Sequence, residues 1–160
     1  MKMAPRIIEL KSRKVIGISQ EMSLVDNQTF ELWKSFRVRS SEIKNRISED
    51  FISLQLFTNG YFDVFNPANR FVKWACVEVG SIENLPHEMS YLKIPGGSYA
   101  VFEHKGSGSP QDIFQYIYGE WIPKSKYQLD DRPHFEVLGA KYKFNNPTSE
   151  EEIWIPIKTK

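Results

Sequence analysis

The residue of this chain best placed to do chemistry is Glu136, within His134-Phe135-Glu136-Val137-Leu138. Alternation along a strand sends Phe135 and Val137 to one face and Glu136 and Leu138 to the other. The expectation is that Phe135 and Val137 lie under helices while Glu136 and Leu138 face a groove. A carboxylate among apolar neighbours is costly unless it is paired or protonated. Desolvation raises its pKa. An organic cation would supply the missing partner, and aromatic faces around it would add roughly 0.5–2 kcal/mol each. Trp74 and Trp154 are the candidates for such walls. They hold similar places in Val72-Lys73-Trp74-Ala75-Cys76 and Glu152-Ile153-Trp154-Ile155-Pro156. Ile153, Ile155 and Ile157 alternate with Trp154, which puts the isoleucines under the helices and the tryptophan in the groove. Phe57 and Tyr99 are further candidates. Each aromatic also has an ordinary reading as core, and Glu136 one as a surface carboxylate.

Other chemistries find less support. Gly106-Ser107-Gly108-Ser109-Pro110 precedes a helix and could hold an anion, but no G-K-[ST] or full G-x-G-x-x-G accompanies it. His87, His104 and His134 lack metal-ligand spacing with Cys76 or a carboxylate. No G-x-S-x-G nucleophile elbow is present. Glu150-Glu151-Glu152 reads as a solvated lead-in to a strand. No cofactor and no metal are expected.

The elements that would position Glu136 follow from periodicity. Ile7 to Leu10 and Val15 to Ser19 read as strands, and Asp26 or Asn27 as the cap of a helix turning Phe30, Trp33 and Phe36 to the core. Phe51 to Phe57 and Phe71 to Val79 are strands. Met89 to Ile94 and Ser98 to Glu103 are strands joined by Pro95-Gly96-Gly97, where glycine supplies positive φ. Ser109 caps a second helix, with Pro110 and Asp112 in its first turn. Phe114, Ile117, Tyr118 and Trp121 form its apolar stripe, and Pro123 ends it. Trp121 is expected in the core. His134 to Leu138 and Glu152 to Ile157 are the last strands. The two halves, about 5–80 and 85–158, repeat one plan. The expected fold is α+β: two ββαββ-type units forming one curved antiparallel sheet, with two helices on one face and a central groove on the other.

Composition bounds the function. The 160 residues suit a single domain, 1–160. The formal charge is +1, so no direct nucleic-acid binding is expected. Arg37, Arg39, Lys44 and Arg46, mixed with Glu42, Glu49 and Asp50, read as a solvated helix and loop. An aromatic content of 14% would suit either an aromatic cavity or a β-rich core. The single cysteine, Cys76, lies in an apolar run and reads as buried and inert. The start lacks a signal-peptide core and no stretch reaches membrane-span length. A soluble, cytoplasmic protein is expected, without membrane association.

From residue 94 onward the chain resembles the GyrI-like, AraC-type effector-binding domain family. Ile94-Pro95-Gly96-Gly97-Ser98-Tyr99-Ala100-Val101 resembles its I-x-G-G-x-Y-A-V strand entry. Ser125-Lys126-Tyr127 after Trp121 resembles W-x-x-x-S-x-Y, and Pro133 to Val137 resembles P-x-F-E-x-Y. Glu152 to Ile157 resembles its final strand. The resemblance implies an aromatic cleft with an acidic residue at its base, taking lipophilic and often cationic molecules. It also implies that the helix of Trp121 can reach that cleft. The motif's tyrosine is Leu138 here, with Tyr142 close in sequence. No helix-turn-helix is expected ahead of the domain, so a direct transcription factor is not expected.

Three functions remain open. One is a sensor or sequestering protein for lipophilic cations, its ligand site drawn from Glu136, Trp74, Trp154, Phe57, Tyr99, Leu138 and Trp121. A second is a hydrolase of small strained or electrophilic compounds, with Glu136 assisted by Tyr99 or Tyr142. The third is an inhibitor of the gyrase-inhibitor type that acts on a protein partner. A homodimer is also possible.

Overall fold

The structure, a computed structural model, describes residues 4–106, 110–143 and 148–160. The expected Ser109 cap and the loop residues Ser107 and Gly108 lie outside the described residues. In chain order come β1 (Arg6–Leu10), β2 (Arg13–Met22), α1 (Thr29–Arg37), β3 (Phe51–Leu56) and β4 (Phe71–Val79). A second series follows: β5 (Ser90–Ile94), β6 (Gly97–Lys105), α2 (Pro110–Tyr116), a π-helical turn (Ile117–Trp121) and α3 (Ile122–Lys124). β7 (Tyr127–Leu129), β8 (His134–Leu138) and β9 (Glu150–Thr159) complete it.

The strands pair antiparallel in the order β1-β6-β9-β8-β3-β4-β2-β5, with β7 alongside β9. Exchanging β1, β2, β3 and β4 with β5, β6, β8 and β9 reverses this order onto itself. The pseudo-two-fold axis therefore runs between β3 and β8, where Ser53 sits opposite Glu136. The fold is α+β, a curved antiparallel sheet with helices on one face.

The sheet's edges are β1 and β5, yet each is tied to the far side by a short connection. β1 enters β2 through Lys11 and Ser12, and β5 enters β6 through Pro95 and Gly96. These links draw the edges together and curl the sheet. Its helix-free face closes on a core that includes Leu10, Val15, Leu54, Trp74, Tyr99, Phe135 and Trp154. The groove expected on that face is therefore filled. Residues from both edge strands, Leu10 and Ile94, meet in this one cluster.

The other face carries two further cores. α1 sets Leu32 and Phe36 on Ile16, Ala75 and Val77. The second helix, formed by α2 and the π turn that continues it, sets Ile113 and Ile117 on Ala100, Phe102, Ile153 and Ile155. The N-cap of α1 is Gln28 rather than Asp26 or Asn27 and makes no side-chain cap bond; Asn27 forms a turn just ahead of it, its Oδ1 accepting from the Thr29 N–H at 3.0 Å. Glu31 in the first turn and Lys34 and Arg37 in the last complement the helix dipole. Phe30, expected in the core, is 69% exposed. The buried stripe is Leu32 and Phe36 at i, i+4, and Phe30 points off it. Pro123 lies inside the last helical turn rather than ending the helix before it. The π turn ahead of it shifts the hydrogen-bond ladder, and a proline near the start of a helical turn lacks only a donor that would be unpaired there.

Gly97 and Gly17 are among the glycines whose positions exclude a side chain. Gly97 has φ 150° and lies against the Arg132 guanidinium. Gly17 on β2 faces Cys76 on β4 so closely that a Cβ would meet the Ala75 carbonyl oxygen and the Cys76 Cβ, the latter at 2.6 Å. Gly17→Ala is expected to cost roughly 1–3 kcal/mol through strand displacement. Urea unfolding would read it as a lower midpoint, and an unchanged midpoint would show that the strands can part without cost. The Cys76 thiol donates to the Ile52 carbonyl at 3.4 Å. Burial pushes its pKa up, which suits an inert thiol.

Candidate functional site

Register on the central strands decides what surrounds Glu136. It sits opposite Ser53 on β3 and Ile153 on β9, and Ser53 sits opposite Ala75 on β4. Ala75 packs under α1 and Ile153 under the second helix. Glu136 therefore faces the helix-bearing side, on the row between the two helices. This reverses the expected orientation. Phe135 and Val137 face the curled interior, and Glu136 and Leu138 share the helices' side. A period of two separates the two sets but does not say which set the helices cover.

Lys73, Glu151 and His104 reach the same row. Lys73 on β4 pairs with Gln55, which pairs with His134, two residues from Glu136. Its Nζ donates to Thr29 Oγ1 at 3.3 Å, at the start of α1. Glu151 on β9 precedes Ile153 by two and pairs with His104. His104 Nδ1 lies 3.1 Å from Glu151 Oε1. The Glu136 and Glu151 carboxyls are hydrogen-bonded to each other.

Glu136 as a residue keeps partial exposure, while protein packed around its carboxyl displaces that group's water. Burial raises its carboxyl pKa to about 7; Lys73 opposes the shift and Glu151 adds to it. Burial also raises Glu151, against the hydrogen bond from Glu136 and the charge of Lys73. Burial lowers Lys73, against the two carboxylates. Like charges this close do not both ionise readily. The pair holds a proton into the neutral range, with Glu136 donating to the Glu151 carboxylate.

Aromatic rings wall this row. Phe62 stacks on Tyr118 at 4.5 Å and on His134 at 5.5 Å, and Phe57 meets His134 edge-on at 4.9 Å. Tyr61 packs on Phe57 at 4.6 Å. Burial holds the Tyr118 phenol protonated, with Glu136 adding to the effect. Burial and then Arg132 depress His134 to about 3. The Tyr118 hydroxyl and Nδ1 of the neutral His134 share a hydrogen bond at 2.8 Å, its direction set by the imidazole tautomer.

A cleft of about 470 Å³ opens beside Glu151, where β8 ends and the chain turns through Gly139 and Ala140. Asp50, Glu103, Glu150, Glu151 and Glu152 line it, against Lys105 and Lys141. Among the described residues no three His, Cys, Asp or Glu side chains are grouped to hold a metal ion. None of the described helices is long and apolar enough to cross a membrane.

The aromatic candidates divide by face. Phe57 joins the rings near His134, and Leu138 lies beside Phe51 on the Glu136 side. Trp74, Trp154 and Tyr99 belong to the curled interior, across the sheet from Glu136. Trp154 sits opposite Phe135, so strand alternation sends it away from Glu136. The Tyr99 hydroxyl donates to the Pro133 carbonyl at 2.8 Å, which leaves it no route to Glu136. Trp121 packs on Phe102 and Tyr127 within the second helix's core. Tyr142 is near the pair: burial raises its phenol, and Glu151 and Glu136 raise it further.

Sequence reasoning missed Lys73, Glu151, Tyr118 and the partnership of His134 with the site. A signal existed for two of them. Lys73 keeps the parity of Ala75 and Val77, and Glu151 that of Ile153 and Ile155, so each is a charge on a helix-covered face.

The raised carboxyl and the depressed imidazole pull stability in opposite directions with pH. A folded Glu136 at about 7 binds its proton more tightly than the unfolded group near 4.5. Its contribution is therefore greatest below pH 4.5 and declines as pH rises to about 7. A folded His134 near 3 favours the native state above 6.5, and that contribution is lost as pH falls toward 3. The windows overlap, so the difference between wild type and Glu136→Gln isolates the carboxyl. The variant is expected to gain stability relative to wild type between pH 4.5 and about 7, read by urea unfolding. A difference independent of pH would contradict the raised pKa.

With this geometry in view, known proteins supply the comparison. Transcriptional regulator BrlR of Pseudomonas aeruginosa is 27% identical over 158 residues, 97% of this chain. The chain spans 56% of that regulator's length. The structure of SAV2435 bound to tetraphenylphosphonium superposes with a TM-score of 0.71 at 14% identity, over 98% of this chain and 94% of that one. The EcmrR C-terminal domain superposes with a TM-score of 0.70 at 14% identity, over 100% of both chains. A family model described as the GyrI-like small molecule binding domain matches residues 3–158. The chain belongs to the GyrI-like small molecule binding domain family.

Proposed function

We propose that this chain binds lipophilic aromatic cations between α1 and the second helix, with Glu136 as their counter-ion. The observation that carries the reading is a desolvated carboxyl, its pKa raised to about 7, beside a group of stacked rings. A bound cation restores the ionised form that burial disfavours. Each ring face adds roughly 0.5–2 kcal/mol. Phe57, Tyr61, Phe62 and Tyr118 supply the faces. Phe62 comes from the loop between β3 and β4 and is 36% exposed, so a ligand ring can take its place. Tetraphenylphosphonium, held by SAV2435, is a cation of this class. The chain would act through ligand binding as one unit over residues 1–160.

A thermal-shift screen of aromatic cations and neutral electrophiles against wild type and Glu136→Gln tests this. Ligand at about a hundred times Kd adds roughly 2.7 kcal/mol of stability. Cation hits that weaken in the variant support the reading. Hits indifferent to Glu136 move the site elsewhere. Turnover of an electrophile, lost in Glu136→Gln, would instead make the chain a hydrolase, with Tyr142 as the nearby phenol.

A further inference from the structure

We propose that Glu151 is a second ligand-facing carboxyl of this site, selecting cations that carry N–H donors, such as protonated amines and amidinium groups. The cation enters from the acid-lined cleft in exchange for the proton that Glu136 and Glu151 share. The inference rests on the binding reading above and adds a chemical class of ligand to it.

Glu151 is the one residue common to the carboxyl pair and the cleft. The cleft's five carboxyls outnumber its two lysines, so its field attracts cations toward Glu151. Glu136 and Glu151 sit on neighbouring strands of one face, offset by two residues in register. Two carboxylates so placed can accept from two N–H groups of one cation. A permanently alkylated or arylated cation has no N–H and engages the pair by charge alone.

The charge count fits a single cation. With the shared proton in place the pair carries one negative charge, matched by Lys73. With the proton gone and a monocation bound, two carboxylates face Lys73 and the ligand, and the count again closes at zero. His104, whose Nδ1 lies 3.1 Å from Glu151, also faces the pair. The phenols of Tyr61, Tyr118 and Tyr142 have raised pKa values and stay uncharged, and His134 stays neutral. Arg37, at the end of α1, is the remaining charge acting near Tyr142.

Calorimetric titration of the whole chain in phosphate and in Tris tests the inference, with 4-phenylbenzamidine and tetraphenylphosphonium as probes. The amidine stays charged throughout. It is expected to release close to one proton about one pH unit below the pair's titration and almost none one unit above it. Its affinity should rise about tenfold over that span. Glu151→Gln is expected to weaken the amidine by about tenfold or more, and the phosphonium by less than about threefold. Glu151→Asp keeps the charge and should restore most of the amidine's preference, which separates ligand contact from a folding defect. Equal weakening of both probes, or of neither, overturns the role of Glu151. Probes that bind and depend on Glu136 but ignore Glu151 leave the earlier reading standing. No binding of either probe to wild type sinks both.

Discussion

Glu136→Gln is expected to weaken tetraphenylphosphonium binding by about ten- to a hundredfold when measured above the carboxyl's titration. The substitution keeps the side chain's volume and removes its charge. A unit charge about 5 Å from a carboxylate gains about 3 kcal/mol at an effective dielectric near 20. Partial exposure of Glu136 and the standing charge of Lys73 reduce that gain to about 1.5–3 kcal/mol. At lower pH the wild-type carboxyl holds its proton, so the gap between the two proteins narrows. Equilibrium titration at two pH values reads both effects. A variant that binds the phosphonium as tightly as wild type would remove Glu136 from the site.

Trp154→Ala is expected to lower stability by about 3–5 kcal/mol, the cost of a large aromatic cavity in a core that does not collapse. Trp154 is 6% exposed and stacks on Phe135 at 5.3 Å with planes 15° apart. Tyr99 meets its edge at 5.9 Å, and Arg13 covers its ring at 5.3 Å. Its Nε1 donates to Glu152 at 3.2 Å. Urea unfolding measures the loss. Loss of cation binding with little loss of stability would return this ring to the ligand site.

Strand positions were legible because apolar alternation is strong and short turns punctuate it. β8 runs from His134 to Leu138 and β4 from Phe71 to Val79, as the pattern predicts. The duplication was legible in the order of the elements. The side of the sheet on which Glu136 lies was not. That depends on how the sheet curls, and the curl depends on β1 pairing with β6 and β2 with β5, across the repeat. Nothing local to Ile7 or Tyr91 states that exchange. Once the edges meet, the tryptophans on the face of Phe135 become interior, and the carboxyl faces the helices. Phe30 failed for a smaller reason: an aromatic residue in a helix reads as core, while the buried stripe belongs to Leu32 and Phe36. Glu151 was obscured by its neighbours. In a run of three glutamates the middle one shares the parity of Ile153, and composition hides what parity reveals.

The most direct measurement is a crystal structure of the chain with tetraphenylphosphonium. The cation is expected between α1 and the second helix, its phosphorus nearest the Glu136 carboxylate and an aryl ring in the place of Phe62. Tetraphenylphosphonium seated on the helix-free face against Trp74 and Trp154, or bound away from Glu136 altogether, would contradict the site.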